Sequence, residues 1–356
     1  MIKKPILIYD ELGVGSVVVN KLAEANPVLY CGSASELKSN KRVGTVKGWS
    51  HGEAEFIIVL SGKLSGESKF MDQQGVKVLG AYADADKIDD AGYLAQFCKK
   101  ADLDYSKVSK LGMQCAVGGM FNGQRFIAPW VSFEHRGLMD GDVGPITEGM
   151  GSLLIMPSAS IPFIRYLQKT AEILNKAHYL GPFNIACCVN DEGYWVESIN
   201  PGFVQPSFNV WASLLYEPLG MALNNIVKGE SHLEAKEDVW ALGVCLAKSG
   251  YPHKVAYQGV KNMIQGLVEA AGDNCQVLLD SVFMEKEACF TGSLGRVLTL
   301  LGQGATIVLA RDDAYRALDY VGFDDMMYRL DLGERARLNQ MKLCKLGVLP
   351  ESVIGV

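Results

Sequence analysis

The sequence predicts an α/β protein of two or three domains, and three observations point there. Apolar runs such as Pro5–Tyr9 (PILIY) and Glu53–Leu60 (EAEFIIVL) alternate with helical stretches early in the chain, the pattern of parallel βαβ units. Further on, strand-like runs flank Asn122-Gly123 and Asp191-Glu192-Gly193, which read as hairpin turns. At 356 residues the chain exceeds the roughly 100–200 residues of one domain and is long enough to bury a core without disulfides.

The elements follow in order. Pro5–Tyr9 is a buried strand, Ser16–Ala25 a helix, Val28–Tyr30 and Glu53–Leu60 strands, with a helix near Gly66–Gln74 and a short strand at Val76–Leu79. Lys87–Lys110 reads as one helix, polar on one side. Met113–Phe121 and Gln124–Phe133 form the first hairpin, a glycine-rich loop spans Gly137–Gly151, and Ile161–Ala177 is a helix. Phe183–Val189 and Tyr194–Ser198 form the second hairpin, and Ser207–Val227 is largely helical. Trp240–Ala247, Gln276–Met284 and Arg296–Leu301 read as strands of a last region, with Lys254–Ala271 irregular or helical and helices at Ala305–Leu318 and Glu334–Leu346. The expected arrangement is an N-terminal parallel sheet, a central sheet from the two hairpins and a small C-terminal α+β domain, divided as 1–85, 86–230 and 231–356.

Composition narrows the function. The chain is 49% hydrophobic and 21% charged, the mix of a globular protein. A net charge of −6 argues against a general nucleic-acid binder, which needs a basic surface to neutralise phosphates. Nine cysteines without C-x-x-C spacing read as reduced core residues of a cytoplasmic protein. The N-terminal apolar run is too short for a signal peptide, and no run of about 18 apolar residues suggests a membrane span.

The string Asp140-Gly141-Asp142-Val143-Gly144-Pro145-Ile146-Thr147-Glu148-Gly149-Met150-Gly151 resembles D-G-D-T-G-P-N-T-G-G-M-G of glycinamide ribonucleotide synthetase (phosphoribosylamine–glycine ligase), an ATP-grasp family. Trp195–Asn200 (WVESIN) resembles V-I-E-F-N, Gly243–Pro252 resembles L-G-V-V-M-A-A-G-G-Y-P, Ser293–Leu298 (SLGRVL) resembles G-G-R-V-L, and Tyr328–Gly333 (YRLDLG) resembles Y-R-x-D-I-G. These blocks stand in family order. The resemblance implies an ATP-grasp-like core with an N-terminal parallel domain and a small C-terminal domain.

The same comparison implies a missing piece. In the family, a lobe between the helix at Lys87–Lys110 and the hairpin at Met113 supplies a lysine and a glycine-rich loop for the ATP phosphates. Here no lysine lies between Lys110 and Lys169. Phosphoryl transfer needs cations and backbone donors around the phosphates, so the small ATP-binding lobe reads as deleted and ATP as doubtful.

Site residues follow from the resemblance. Glu197 and Asn200 match magnesium ligands, which would share the ion with substrate phosphates. Asp140, Asp142, Pro145, Thr147, Gly149, Met150 and Gly151 match the substrate loop, where glycines let the backbone approach a ligand. Arg296 matches an arginine near the substrate phosphate, and His135 stands where an orienting group or base would act. Gly13 and Gly15 read as a phosphate-holding turn before a helix. The implied ligands are a phosphoribosyl compound or nucleotide and an amino compound such as glycine. Three functions remain open: coupling an amine to an already phosphorylated partner without ATP, ligand or partner binding without catalysis, and the ATP-dependent synthetase reaction.

Overall fold

A computed structural model describes residues 4–10, 16–32, 37, 43–45, 54–61, 75–252, 262–271, 275–285, 288–292 and 295–353. The expected helix at Gly66–Gln74, the turn containing Gly13 and Gly15, and residues 254–261 of the irregular stretch lie outside the described residues.

Five parallel strands open the chain. They are β1 (Ile6–Asp10), β2 (Val28–Gly32), β3 (Val43–Thr45), β4 (Ile57–Ser61) and β5 (Val78–Leu79), in the order β3-β2-β1-β4-β5. β1 is apolar from Ile6 to Ile8, as suits a strand covered on both faces. Helix Ser16–Ala23 follows it and buries Val18, Val19 and Leu22 against Ile6 and Ile8.

Helix Ala91–Ala101 is shorter than its sequence suggested. Asp90 caps its start by accepting from the Tyr93 N–H, and Asp102 ends it in the left-handed conformation. Such an end satisfies the last carbonyls. Residues 102–112 then cross to the edge of the next sheet, where Tyr105 bridges Val196 and the Val196 N–H donates to Asp104 O at 2.9 Å. Helical periodicity in the polar stretch after Asp102 is overridden by that pairing.

The central sheet contains β6 (Met113–Phe121), β7 (Phe126–Met139), β8 (Val143–Ile155), β9 (Gly181–Asn190), β10 (Gly193–Pro201), β11 (Trp240–Lys248), β13 (Gln276–Leu279) and β16 (Arg296–Gly304), ordered β10-β9-β6-β7-β8-β11-β16-β13. A short β17 (Met326–Met327) pairs with β11, and β12 (Met263–Ile264), β15 (Ala288–Thr291) and β14 (Val282–Glu285) form a separate three-stranded sheet. Both hairpins form as expected, since Asn122 accepts from the Gln124 and Arg125 N–H groups and holds the first turn.

Three further expectations change. Residues 137–151 are not an open loop. They are the far halves of β7 and β8, folded back at Asp140–Asp142 and paired at Gly137–Ile146 and Met139–Val143. After residue 231 only the small sheet of β12, β15 and β14 stands apart; β11 pairs directly with β8, and β16 and β13 extend the central sheet. The expected strand Gln276–Met284 is also broken, into β13 and β14, at Asp280-Ser281.

The two faces of the central sheet have different roles. One packs on helices Ala91–Ala101, Pro162–Gln168 and Ala171–Lys176 through Phe97, Phe163, Leu167, Phe183 and Ile185. On the other, Trp130, Leu154, Phe208 and Trp211 join the core of the parallel sheet. Higher on that face the residues are polar, and a cavity opens there.

Candidate ligand-binding site

Strand parity sets the cavity wall, because alternate residues of a strand share one face and cross-strand partners stand side by side. Ala116 of β6 is opposite Ser132 of β7 and Ala186 of β9. Glu134 of β7 is opposite Ser152 of β8, and Asn184 of β9 is opposite Asn200 of β10. Small residues leave room between the polar ones. The resulting cavity is about 600 Å³, lined among others by Gln114, Glu134, Arg136, Asp142, Ile146, Glu148, Asn184, Glu197, Ser198, Asn200, Gln205 and Arg335.

Glu197 and Asn200 are three residues apart, so a regular strand would send them to opposite faces. β10 is irregular between Val196 and Ser198, which pair with the successive residues Cys187 and Ala186. A bulge therefore takes up Glu197 as one extra residue and re-aims the side chains. Both Glu197 and Asn200 reach the same cavity. Glu197 Oε1 accepts from Gln114 Nε2 at 3.0 Å, and Asn200 Nδ2 donates to Ser198 Oγ at 3.1 Å. Among the described residues no three His, Cys, Asp or Glu side chains assemble at metal-ligand spacing. The pair fits a magnesium ion only as a partial set of oxygen ligands, which a ligand's own oxygens would have to complete.

The hairpin tip is built on Arg329. This arginine is fully buried and donates to Gly137 O at 2.9 Å, Asp142 Oδ1 at 2.5 Å and both oxygens of Asp331 at 2.8 and 2.7 Å. The Gly141 N–H donates to Asp331 Oδ2, and the Leu330 N–H to Asp140 Oδ1. The neighbouring His135 accepts from the Gly333 N–H at Nε2, which puts its ring proton on Nδ1, 3.8 Å from Asp142 Oδ1. His135 and Arg329 thus hold Asp142 well below the usual carboxylate range, against the opposing effect of its burial.

The residues predicted from sequence separate into groups. Asp142, Glu197 and Asn200 line the cavity. Asp140 secures the tip through Leu330, and Pro145 is exposed beside it. His135, read from the sequence as an orienting group or base, is buried and engaged with Gly333, a tie between strand and C-terminal segment. Thr147 Oγ1 donates to Arg136 O and accepts from the Gly149 N–H. Met150 and Gly151 correct the expectation of ligand contact. Met150 is fully buried with Leu138, Ala247 and Tyr251, and a Cβ on Gly151 would lie 2.5 Å from Gly243 O, so this glycine admits a neighbouring strand.

Gly149 has φ +131° and a hypothetical Cβ only 2.5 Å from Pro206 Cδ. Gly149→Ala is expected to lower stability by about 1–3 kcal/mol, from backbone strain plus the clash. Urea denaturation measures it, and an unchanged midpoint would contradict this account.

Glu134 and Glu148 were missed, since face parity in β7 and β8 depends on a register that the sequence does not display. The polar run Ser132, Glu134, Arg136 at every second position was the available clue. Ser152 Oγ donates to Glu134 Oε1 at 3.0 Å, and burial pushes the Glu134 carboxyl above its ordinary range, more than that bond pulls it down. An acid whose folded pKa is raised binds its proton more tightly folded than unfolded. Its contribution is therefore favourable at low pH and declines as pH rises through the unfolded value of about 4.3 and on to the folded one. Glu134→Gln is expected to raise the melting temperature at pH 7 and leave it nearly unchanged at pH 4, as calorimetry at both pH values can check.

Arg296 is also buried. Its Nε donates to Asp280 Oδ2 at 2.6 Å and its Nη2 to Asp280 Oδ1 at 3.1 Å. Burial disfavours its charge, but Asp280 outweighs that and holds the guanidinium protonated. Arg296 does not stand free on the cavity wall, where a substrate-phosphate ligand was expected; Asp280 holds it.

Comparison with known proteins places these features. Residues 241–335 match the family described as phosphoribosylglycinamide synthetase, C domain. Phosphoribosylamine–glycine ligase of Mesorhizobium japonicum is 30% identical over 212 residues, covering 57% of this chain and 49% of the relative. That of Corynebacterium ammoniagenes is 27% identical over 242 residues, covering 65% and 55%. Among solved structures, phosphoribosylamine–glycine ligase of Thermotoga maritima superposes with a TM-score of 0.68 at 19% identity, covering 92% of this chain and 100% of that one. The biotin carboxylase domain of a single-chain bacterial carboxylase gives 0.62 at 9% identity, covering 96% and 99%.

The mixed α/β architecture, with its parallel sheet leading into a broad antiparallel one, is shared with both of these structures. In sequence the chain is similar to phosphoribosylamine–glycine ligases over the stretches just given. It spans about half the length of the curated relatives it matches.

Proposed function

We propose that the protein joins an amino compound to an already phosphorylated nucleotide or nucleobase partner and does not use ATP itself. The observation behind this reading is the course of residues 102–112. They run from helix Ala91–Ala101 straight onto the edge strand β10 and into β6, where the family's nucleotide-covering lobe would have to emerge. An electrophile that arrives with its leaving group attached needs alignment and charge stabilisation only. The cavity offers both, with Arg136 and Arg335 for an anion and Glu134 and Glu148 for an amine. Glu197 and Asn200 would hold a magnesium ion through the ligand's phosphate oxygens, and the ion would neutralise phosphate charge.

The test is product formation from glycine and phosphoribosyl or nucleotide substrates, with and without ATP. Coupling that needs no ATP supports the reading. Strict ATP dependence overturns it in favour of the ordinary synthetase reaction. A second reading, a ligand-binding relative without catalysis, is favoured by the departures at Ile146, Glu148, Gly202 and Gln205 from the family strings. Stabilisation by such ligands with no product would select it.

A further inference from the structure

One buried donor remains without a hydrogen-bond partner beside the cavity. Arg296 gives Nε and Nη2 to Asp280, while its Nη1 is buried and unpartnered among the described residues. The nearest carboxylate to that nitrogen belongs to Glu148, whose Oε2 is 3.9 Å away. Glu148 is fixed through its backbone, which donates to the Tyr251 hydroxyl at 3.3 Å, while its side chain is 59% exposed and lines the cavity. Glycine stands at this position in the string that residues 140–151 resemble.

A buried guanidinium nitrogen next to a cavity-lining residue is a ready anion site, because its desolvated charge acts at low dielectric. In this chain a resident carboxylate already stands in front of it. Two carboxylates, Asp280 and Glu148, then face one guanidinium, so the corner repels a further anion. It presents acceptor oxygens instead.

We propose that Glu148 sets the selectivity of this cavity by taking the anion position at Arg296 Nη1, so that the ligand group seated there is an amine and not a phosphate. The inference rests on the cavity being the ligand site, as proposed above. It assigns the two ends of a coupling reaction. The amine lies at the Glu148 corner, and any phosphorylated partner is held by the other cations.

The experiment titrates inorganic phosphate and, separately, methylammonium into the wild type and Glu148→Gln, following chemical shifts and thermal stability. Because the Glu148 side chain is largely exposed, the substitution leaves the fold in place. Phosphate affinity is expected to rise roughly tenfold or more in E148Q, as removal of a like charge at contact distance requires. Methylammonium affinity is expected to fall. Two controls locate the effect. Val143→Thr, a change in the same strand at an exposed residue outside the cavity lining, should leave phosphate affinity unchanged. The gain should also persist when Arg335→Gln is added to E148Q. Equal phosphate affinity in wild type and E148Q, an equal gain in V143T, or a gain that needs Arg335 would each overturn the selectivity assignment. If neither probe perturbs either protein, the ligand-site reading fails and this inference fails with it.

Discussion

Arg329→Met is expected to be among the most damaging single substitutions in the chain, at about 3–5 kcal/mol. The guanidinium is fully buried and makes four donor contacts, to Gly137 O, Asp142 and both oxygens of Asp331. Methionine fills much of the volume but leaves Asp142 and Asp331 facing each other's charge and Gly137 O without its donor. Breaking a buried pair by removing one partner is costly because the other charge stays behind. Denaturant unfolding gives the total, and hydrogen exchange across residues 137–146 gives the local part, which should rise first. A loss below about 1 kcal/mol, the range of surface ion pairs, would sink the view that this arginine holds the tip.

The same network fixes an acid limb. Burial works against the Asp331 charge, yet Arg329 and the Gly141 N–H together lower its pKa to about 2. The unfolded value is about 3.9. A carboxyl depressed on folding adds stability that is fully present above the unfolded value and is lost as pH falls through the folded one. The wild type should therefore lose stability between about pH 4 and pH 2, and Asp142 steepens the fall. Arg329→Met should flatten this limb, which a series of melts across that range would reveal.

Asp280→Ala is the second large effect, again at about 3–5 kcal/mol, since it strands the Arg296 charge among buried residues. Asp280 and Arg296 form a two-pronged pair at 2.6 and 3.1 Å, and both side chains are nearly inaccessible. The discriminating measurement is a double-mutant cycle. Replacing both by apolar residues, Asp280→Leu with Arg296→Met, should cost less than Asp280→Ala alone. If the double variant is the less stable, the pair contributes net stability beyond satisfying its own charges.

How much of this was legible in the sequence depends on which interactions decide each element. The hairpins at Asn122 and Asp191 could be read because turn chemistry and alternation are local. Helix Ala91–Ala101 was overextended because its stop at Asp102 and the pairing of Tyr105 with Val196 involve a strand some ninety residues away. Residues 137–151 looked like a loop because eight of the twelve tip residues compared with the family are glycine, aspartate, proline or threonine in turn-like order. What makes them strands is Arg329, which no local pattern announces. The union of β8 with β11 was likewise hidden, since the residues in between do not mark the partner.

The site shows the same division. Glu197 and Asn200 were found by resemblance, but spacing alone would have separated them. Only the bulge explains why both reach one cavity. Glu134, Glu148 and Asn184 became visible only once the register set which face each strand turns inward. Met150 and Gly151 were misassigned because a conserved-looking string does not distinguish residues that touch a ligand from residues that let strands meet.

The continuous central sheet has a consequence for how the molecule can be taken apart. β11 zips along β8 from Ile155 to Gly151. A fragment ended at residue 230 would bare that whole flank, a row of amide and carbonyl groups with no mate. Such a piece would be adhesive and prone to clump, so the seam the sequence suggested at 230 is a poor place to cut.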